Sequence, residues 1–231
     1  MKKYFFVLIA LFAVTFINAQ SSKTYDLSDF TGIVISNYAD VEFTQGSYSV
    51  VATGPQDLLD KLDLEVSKGS LEIKNLKGSK GQWNNKKPLV IKVSAPEIGG
   101  LVISGSGDFT FMNDVTVDKF AVTISGSGDV ETKGTLNTGK FALVVSGSGD
   151  VELTGNAPSV SIAASGSGDV ELSNFKCKEA SIVNSGSAEI ELYVSEKMSV
   201  VNSGSGDIEI DGSPEKKSII NTGSGDIDYK R

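Results

Sequence analysis

Histidine is absent from this sequence of 231 residues, and the single arginine, Arg231, is its last residue. Without histidine, the chain has no His-based general acid or base, no Ser-His or Cys-His nucleophile and none of the usual zinc sites. A β-helical lyase with an arginine base is also disfavoured. Carboxylates remain, so catalysis by paired carboxylates, as in glycoside hydrolysis, is the enzymatic chemistry to weigh.

Cysteine and tryptophan each occur once. Cys177 has no partner for an intramolecular disulfide, and we expect it to be a buried, inert thiol. Trp83 lies in a polar, basic, glycine-containing stretch, residues 77–87. We expect a mobile loop with a packed Trp83, and the functional alternative is a ligand contact in which Trp83 stacks on a sugar or a partner surface.

Residues 1–19 have the layout of a secretory signal peptide, with two lysines, an apolar run from Tyr4 to Ile17 and Ala19 at the end. We predict cleavage after Ala19; an uncleaved membrane anchor is the alternative. Cleavage removes two lysines and takes the formal charge from -8 to about -10 (-8 minus 2). We therefore expect an exported protein, in the periplasm, on the outer cell surface or outside the cell. After cleavage it would not be an integral membrane protein, and its acidity disfavours nucleic acid as a partner.

A six-residue phrase recurs seven times along the chain. It reads SGSGDF at Ser104, SGSGDV at Ser125, Ser146 and Ser165, SGSAEI at Ser185, SGSGDI at Ser203 and TGSGDI at Thr222. The acidic residues that close successive copies are 21, 21, 19, 20, 18 and 19 residues apart. A period near 20 residues predicts stacked coils.

The residues around the phrase alternate as strands do. An aliphatic residue stands three positions before the first Ser of every copy, from Leu101 to Ile219, and an apolar residue follows every acidic residue, from Phe109 to Ile227. These columns are predicted to face inward. Each coil is then a strand, a Gly-Ser-Gly corner, a second strand and a variable return segment, which indicates an all-β parallel β-helix, a solenoid of about 20 residues per coil.

The residues at and before the corner lead to two structural predictions. Glycine is expected there because the chain reverses with positive φ and because a Cβ would not fit between closely stacked coils. Asn184, Asn202 and Asn221 precede the phrase in the last three copies, and we expect them to form a hydrogen-bonded ladder between coils.

The acidic residues form two columns. The corner column contains a candidate calcium ladder, since calcium prefers stacked oxygen ligands: Asp108, Asp129, Asp150, Asp169, Asp207 and Asp226. The alternative is structural, with each Asp accepting hydrogen bonds from backbone N–H groups of its turn. No cofactor is expected beyond this calcium. Because the acidic residues repeat identically in each coil, they do not form the unique cluster that an active site needs, and we expect no enzyme.

The sequence divides into residues 1–19 as signal peptide, 20–95 as a smaller β-rich head or capping segment, and 96–231 as a parallel β-helix of seven coils. Within the head, Val34 to Phe43 is a degenerate early copy of the coil, and Val41 to Thr53 predicts a hairpin around Gln45, Gly46 and Ser47. Pro55 is expected to open a short helix through Leu62, and residues 71–74 and 89–93 are predicted strands.

The SGSGD phrase and its spacing resemble the bacterial auto-transporter adhesin, head GIN domain family, whose function is uncharacterised. Matching upstream text covers residues 32–43, 55–73 and 88–94. The resemblance implies an exported, right-handed β-helix with an adhesin role. The sequence departs from an auto-transporter because no translocator follows the last repeat, which puts self-transport in doubt.

These observations predict a secreted or cell-envelope, non-enzymatic β-helical protein that acts as an adhesin or surface scaffold. Its partner would be an unknown surface or glycan ligand. The rival hypothesis is a glycan-binding or glycan-acting protein that uses surface carboxylates and Trp83. Exposed strand edges at the ends of the stack also make end-to-end self-association an expectation.

Overall fold

The computed structural model describes residues 21–76 and 88–230, and this part of the chain is almost entirely β-structure. The strands in this part are β1 (Ser21–Tyr25), β2 (Gly32–Ile35), β3 (Asp40–Gln45), β4 (Ser49–Gly54), β5 (Leu62–Ser67), β6 (Ser70–Asn75), β7 (Val90–Ala95), β8 (Gly100–Ile103), β9 (Phe109–Phe111), β10 (Val115–Ile124), β11 (Val130–Thr132), β12 (Leu136–Val145), β13 (Val151–Glu152), β14 (Gly155–Ala164), β15 (Val170–Asn184), β16 (Ile190–Asn202), β17 (Ile208–Asp211), β18 (Lys216–Asn221) and β19 (Ile227–Lys230). A four-residue helix, α1 (Gln56–Leu59), lies between β4 and β5.

The seven copies of the phrase stack as the coils of a β-helix, which confirms the predicted fold class. Each strand before a corner pairs in parallel with its equivalent in the next coil, so that Ala121 of β10 lies between Gly100 of β8 and Ala142 of β12. The strands after the corner pair in the same way, from β9 through β11 and β13 to β19. This register places equivalent side chains directly above one another.

The return segments contribute a third parallel sheet that the sequence pattern did not predict. Val115 pairs with Leu136, Leu136 with Gly155, and Gly155 with Phe175. Inward side chains of these segments are buried, among them Val115, Leu136 and Phe175. Each complete coil therefore surrounds the core with three parallel stretches, and the return segment is continuous with the stretch before the corner in β10, β12 and β14.

Parallel stacking extends into the segment that was predicted as a head. β2 and β3 pair in parallel with β8 and β9, and the predicted early copy, residues 34–43, is thus a coil of the helix. On its other side, β2 pairs with β6 and β3 with β7. β5, β4 and β1 then add antiparallel strands: β5 pairs with β6, β4 with β7, and β1 with β4.

Two details of this segment differ from the sequence interpretation. The hairpin predicted across residues 41–53 was wrong, because β7 lies between β3 and β4 and pairs with both. The true tight hairpin joins β5 to β6, where Lys68 (φ 50°) and Gly69 (φ 77°) adopt the left-handed conformation of a type I′ turn. The helix predicted from Pro55 to Leu62 is shorter, because β5 begins at Leu62.

The core is a continuous apolar column inside the coils. Six phenylalanines run along it in successive ring contacts, with centroids 4.9 to 6.3 Å apart: Phe43, Phe109, Phe111, Phe120, Phe141 and Phe175. Asn184 and Asn202 are buried in the same interior. Their amides bind backbone groups of the corner rather than forming the predicted ladder: Asn184 donates to the Ala188 carbonyl at 3.2 Å and accepts from the Gly186 N–H.

Glycine is required at the corner by close stacking, and the predicted positive φ was wrong. Among the described glycines, positive φ occurs at Gly69, Gly155 and Gly212, none of which belongs to the phrase. A Cβ on Gly147 would lie 1.9 Å from the carbonyl oxygen of Gly126 in the preceding coil. That oxygen is part of the backbone, so neither coil can yield without displacing the stack.

We predict that Gly147→Ala lowers the free energy of unfolding by about 1–3 kcal/mol, the usual cost of forcing atoms into a packed site. The matched control is Ser148→Ala, at an exposed position of the same corner, which should change it by no more than about 0.5 kcal/mol. Urea denaturation of both variants measures the difference. Equal stability of the two variants would contradict the close-packed corner.

Candidate functional site

Backbone hydrogen bonds between coils hold each corner and fix where its acidic side chain emerges. In the third copy, the Ser146 N–H donates to the Ile124 carbonyl at 2.8 Å, and the Ser148 N–H donates to the Gly126 carbonyl at 3.0 Å. After the corner the direction reverses, and the Val151 N–H donates to the Asp169 carbonyl of the following coil. Asp150 lies between these two sets of bonds with its side chain exposed.

Asp side chains at the corners accept hydrogen bonds from the next coil. We call this column of side chains the Asp ladder. The sequence interpretation placed the N–H donors in the same turn, whereas the structure places them one coil further along. The donor and acceptor pairs, from the N–H to Oδ1, are Asp108 to Asp40 (3.2 Å), Asp129 to Asp108 (2.9 Å), Asp150 to Asp129 (2.8 Å), Asp169 to Asp150 (2.8 Å), Glu189 to Asp169 (3.0 Å) and Asp226 to Asp207 (2.8 Å). Each bond offsets part of the repulsion between stacked carboxylates.

A groove of about 430 Å³ runs beside the Asp ladder, between it and the neighbouring column of Glu side chains. We call it the carboxylate groove. It is lined by Asp40, Asp108, Asp129, Asp150, Glu42, Glu131, Glu152, Thr110, Val41, Val90 and Val130. Three of the predicted ladder residues thus lie in it, while Asp169, Asp207 and Asp226 continue the same column outside it.

The carboxylates of the groove differ in their surroundings. Burial is the main cause that raises the pKa of Asp40 and of Asp129, and neighbouring carboxylates raise both further. Glu131 accepts a hydrogen bond from Thr110 Oγ1 at 2.9 Å and lies 3.7 Å from the Lys133 ammonium. The groove therefore combines partly desolvated carboxylates with one hydroxyl donor.

Within residues 21–76 and 88–230, no group of three or more His, Cys, Asp or Glu side chains is placed to hold a metal ion. One oxygen of most ladder carboxylates is already engaged by an N–H of the next coil. The calcium ladder therefore stays a prediction from the sequence, without a converging ligand set to support it here.

Two further residues were singled out from the sequence. Trp83 and the surrounding residues 77–87 lie outside the described residues, as do residues 1–19. The strands that flank the Trp83 segment, β6 and β7, stack on β2 and β3 on either side of the corner at residues 36–39. Cys177 is buried, its Sγ lies 3.1 Å from the Tyr193 carbonyl, and burial raises its pKa to about 12, in agreement with an inert thiol.

A second surface, which the sequence interpretation missed, faces outward from the strands that precede the corners. We call it the uncharged face. From β2 to β18, three outward positions in each coil carry uncharged residues. The first is a small residue, the second is β-branched in all coils but one, and the third is Ser or Thr. In order along the stack they are Gly32, Val34, Ser36; Gly100, Val102, Ser104; Ala121, Thr123, Ser125; Ala142, Val144, Ser146; Ser161, Ala163, Ser165; Ser181, Val183, Ser185; Ser199, Val201, Ser203; and Ser218, Ile220, Thr222. In the sequence, the lack of charged residues at three alternating positions of each coil was the signal that could have identified this face.

The family model described as "Putative auto-transporter adhesin, head GIN domain" matches residues 29–214. The chain belongs to this family. The match covers the early copy of the coil and six of the seven phrases, so the family assignment rests on the same repeats that build the fold.

Solved structures from Bacteroides and Parabacteroides species share the architecture. A protein described as a putative adhesin from Bacteroides fragilis is 23% identical, with a TM-score of 0.82 over 92% of this chain and 97% of that one. A protein from Parabacteroides distasonis, described as a putative lipid binding protein, is 26% identical, with a TM-score of 0.72 over 92% of this chain and 97% of its own. A putative adhesin from Parabacteroides merdae is 17% identical, with a TM-score of 0.71 over 92% and 96% of the two chains.

No curated protein matches the sequence. In the part of the chain that the structure describes, no helix has the length and apolar character to cross a bilayer.

We predict that Asp129→Asn is more stable than the native protein at pH 7, and that the difference shrinks as the pH falls towards 4. The folded-state pKa of Asp129 is raised, so the folded protein holds the protonated carboxyl more favourably than the charged one, relative to the unfolded chain. The stability that protonated Asp129 contributes is fully present below the usual Asp pKa, and it is lost as the pH rises through the raised folded-state pKa. Asn keeps the acceptor oxygen for the Asp150 N–H without the charge. Thermal unfolding across this pH range measures the difference.

Asp118→Asn, which removes one charge at an exposed position of β10, is the control for net charge in this comparison. If Asp129→Asn were less stable than the native protein at pH 7, the charge-assisted bond from Asp150 would outweigh burial and repulsion.

Proposed function

We propose that the protein is an exported, non-enzymatic adhesin or surface scaffold that holds its ligand on repeated columns of side chains. The observation that carries this proposal is the constancy of the surface from coil to coil. The corner column presents Asp or Glu in every copy of the phrase, and the uncharged face repeats over eight strands. Catalysis needs a singular arrangement of groups, whereas attachment gains from repetition.

Repetition favours binding to extended surfaces for a thermodynamic reason. Each contact along a column is weak, but later contacts form at the high effective concentration that the first contact creates. A rigid stack with fixed spacing also loses little conformational freedom when it binds. Family membership supports the adhesin role, and the segment 1–19 supports export.

A glycan is the ligand class that one specific observation favours, namely the carboxylate groove. Carboxylates are strong acceptors for sugar hydroxyls, and Thr110 provides a hydroxyl in the same groove. Val90, which is partly exposed at the groove, offers apolar contact to a sugar ring, whereas Val41 and Val130 point into the core. A glycan-acting enzyme would use the same carboxylates, so cleavage of a bound oligosaccharide is what separates the two hypotheses.

The test uses protein recovered from the envelope or medium of the producing cells and applied to an oligosaccharide array. We expect a mass that lacks residues 1–19, retention of intact oligosaccharides, and at least tenfold weaker retention by Glu131→Gln, which removes a charge from the groove. Glu171→Gln is the matched control, because Glu171 belongs to the same column but lies outside the groove. Mass spectrometry of the array then reports cleavage.

The outcomes discriminate between the hypotheses. An uncleaved protein confined to the cytoplasm contradicts export, and cleaved oligosaccharides contradict a non-enzymatic role. Equal retention by Glu131→Gln and Glu171→Gln, or no retention at all, removes the groove as a glycan site.

A further inference from the structure

We propose that the uncharged face is a dimer interface, and that it packs against the same face of a second copy of the chain. This goes beyond the adhesin proposal, because it concerns a different surface from the carboxylate groove. The argument rests on the exposure, area, shape and charge of the face.

The face exposes apolar side chains that a monomer would leave in water. Five aliphatic residues of its central column are 36% to 55% exposed: Val102, Val144, Val183, Val201 and Ile220. They lie in one line, since Val102 pairs with Thr123, Val144 with Ala163, and Val183 with Val201. A contiguous apolar line flanked by uncharged residues, rather than scattered single residues, marks an interaction surface.

The area of the face suits a stable dimer. Eight strands about 4.8 Å apart and about five residues of about 3.3 Å each give a surface of roughly 38 Å by roughly 17 Å. Two copies would then bury about 1,300 Å², which is within the standard range for specific protein interfaces.

The shape of the face is self-complementary. The column of small residues, from Gly32 to Ser218, lies beside the column of larger β-branched residues, from Val34 to Ile220. In a twofold dimer the larger column of one copy fits over the small column of the other, and the reverse contact follows by symmetry. Sheet faces built from small and β-branched residues pack closely in this manner.

The polar groups of the face do not oppose its burial. Hydroxyls of the third column already reach backbone carbonyls of the preceding coil: Ser125 Oγ lies 3.5 Å from the Ile103 carbonyl oxygen, and Ser185 Oγ lies 3.5 Å from that of Ala164. Backbone N–H and C=O groups of these strands are engaged in the parallel sheet. Burial in a dimer therefore leaves few groups that lose a water partner without a replacement.

Charge at the two rims selects the orientation of the copies. The rim on the side of the small column carries two lysine pairs, Lys119 with Lys140 and Lys197 with Lys216, which are separated by Ser159 and Glu179 in the same column. The opposite rim is the acidic corner column. A twofold axis parallel to the stack brings the lysine rim of one copy towards the acidic rim of the other. An axis parallel to the strands would oppose lysine to lysine, so the two stacks are expected to run in the same direction.

The test is the mass of the purified full chain in solution, measured by light scattering during gel filtration over a wide concentration range. We expect a mass near twice that of the 24.3 kDa chain, less any cleaved segment. Val183→Lys should weaken dimerisation at least tenfold, because it places a charge in the central column of the face. Asn174→Lys adds the same charge at an exposed position of the same strand, outside the face, and should dimerise as the native chain does.

Folding of Val183→Lys is verified by circular dichroism, and Val144→Lys provides a second variant if the first does not fold. A strict monomer at all concentrations overturns the proposal. Association that persists in both lysine variants also overturns it and assigns contact to the exposed edge at β18 and β19. A monomer that binds phosphatidylcholine vesicles through Val183 would instead make the face a lipid-binding surface.

Discussion

Direct contact between the backbones of successive corners is the constraint on which the rest of this structure depends. Where one coil has Gly126, Gly147 or Gly166, the carbonyl oxygen of the preceding coil occupies the space that a Cβ would need. The coils can therefore stack in one register only, with corner above corner. This register aligns the strands of each coil and the apolar columns that fill the interior.

The alignment of coils affects the surface in two ways, because it brings like charges together and it repeats each potential contact with a partner. Identical side chains lie one strand spacing apart, so a charged column repels itself along its whole length. The Asp ladder reduces this repulsion because most of its carboxylates accept an N–H from the next coil, while the face on the other side of the corner avoids charge altogether. The same alignment multiplies any weak attraction to a regular partner, whether that partner is a polymer in the carboxylate groove or a second uncharged face.

The sequence predicted the fold well because its signals were local and repeated. A period near 20 residues and alternating apolar columns specify stacked strands, and the glycine pattern locates each corner. The head segment was harder to predict. β4 pairs with β7 instead of β3, because β7 lies between β3 and β4. Residues 41–53 taken alone carry no information about β7, and they favour a hairpin.

The surfaces were only partly predictable. The Asp column and its acceptor role were evident from the phrase, but the donor is an N–H of another coil, and a single repeat does not contain that information. The groove depends on the depth between two columns, which only coordinates give. The uncharged face could have been recognised from the sequence by tracing the outward positions, because charge is missing there from Gly32 to Thr222.

Amide hydrogen exchange measured by NMR tests the close-stacked corner most directly. The N–H groups of Ser127, Ser148 and Ser167 lie in exposed turns, yet each donates to a glycine carbonyl of the preceding coil at 3.0 Å. If the corners stack as described, these amides exchange as slowly as the buried strand amides of Val122 and Leu143. Exchange at the rate of an open loop would contradict the account.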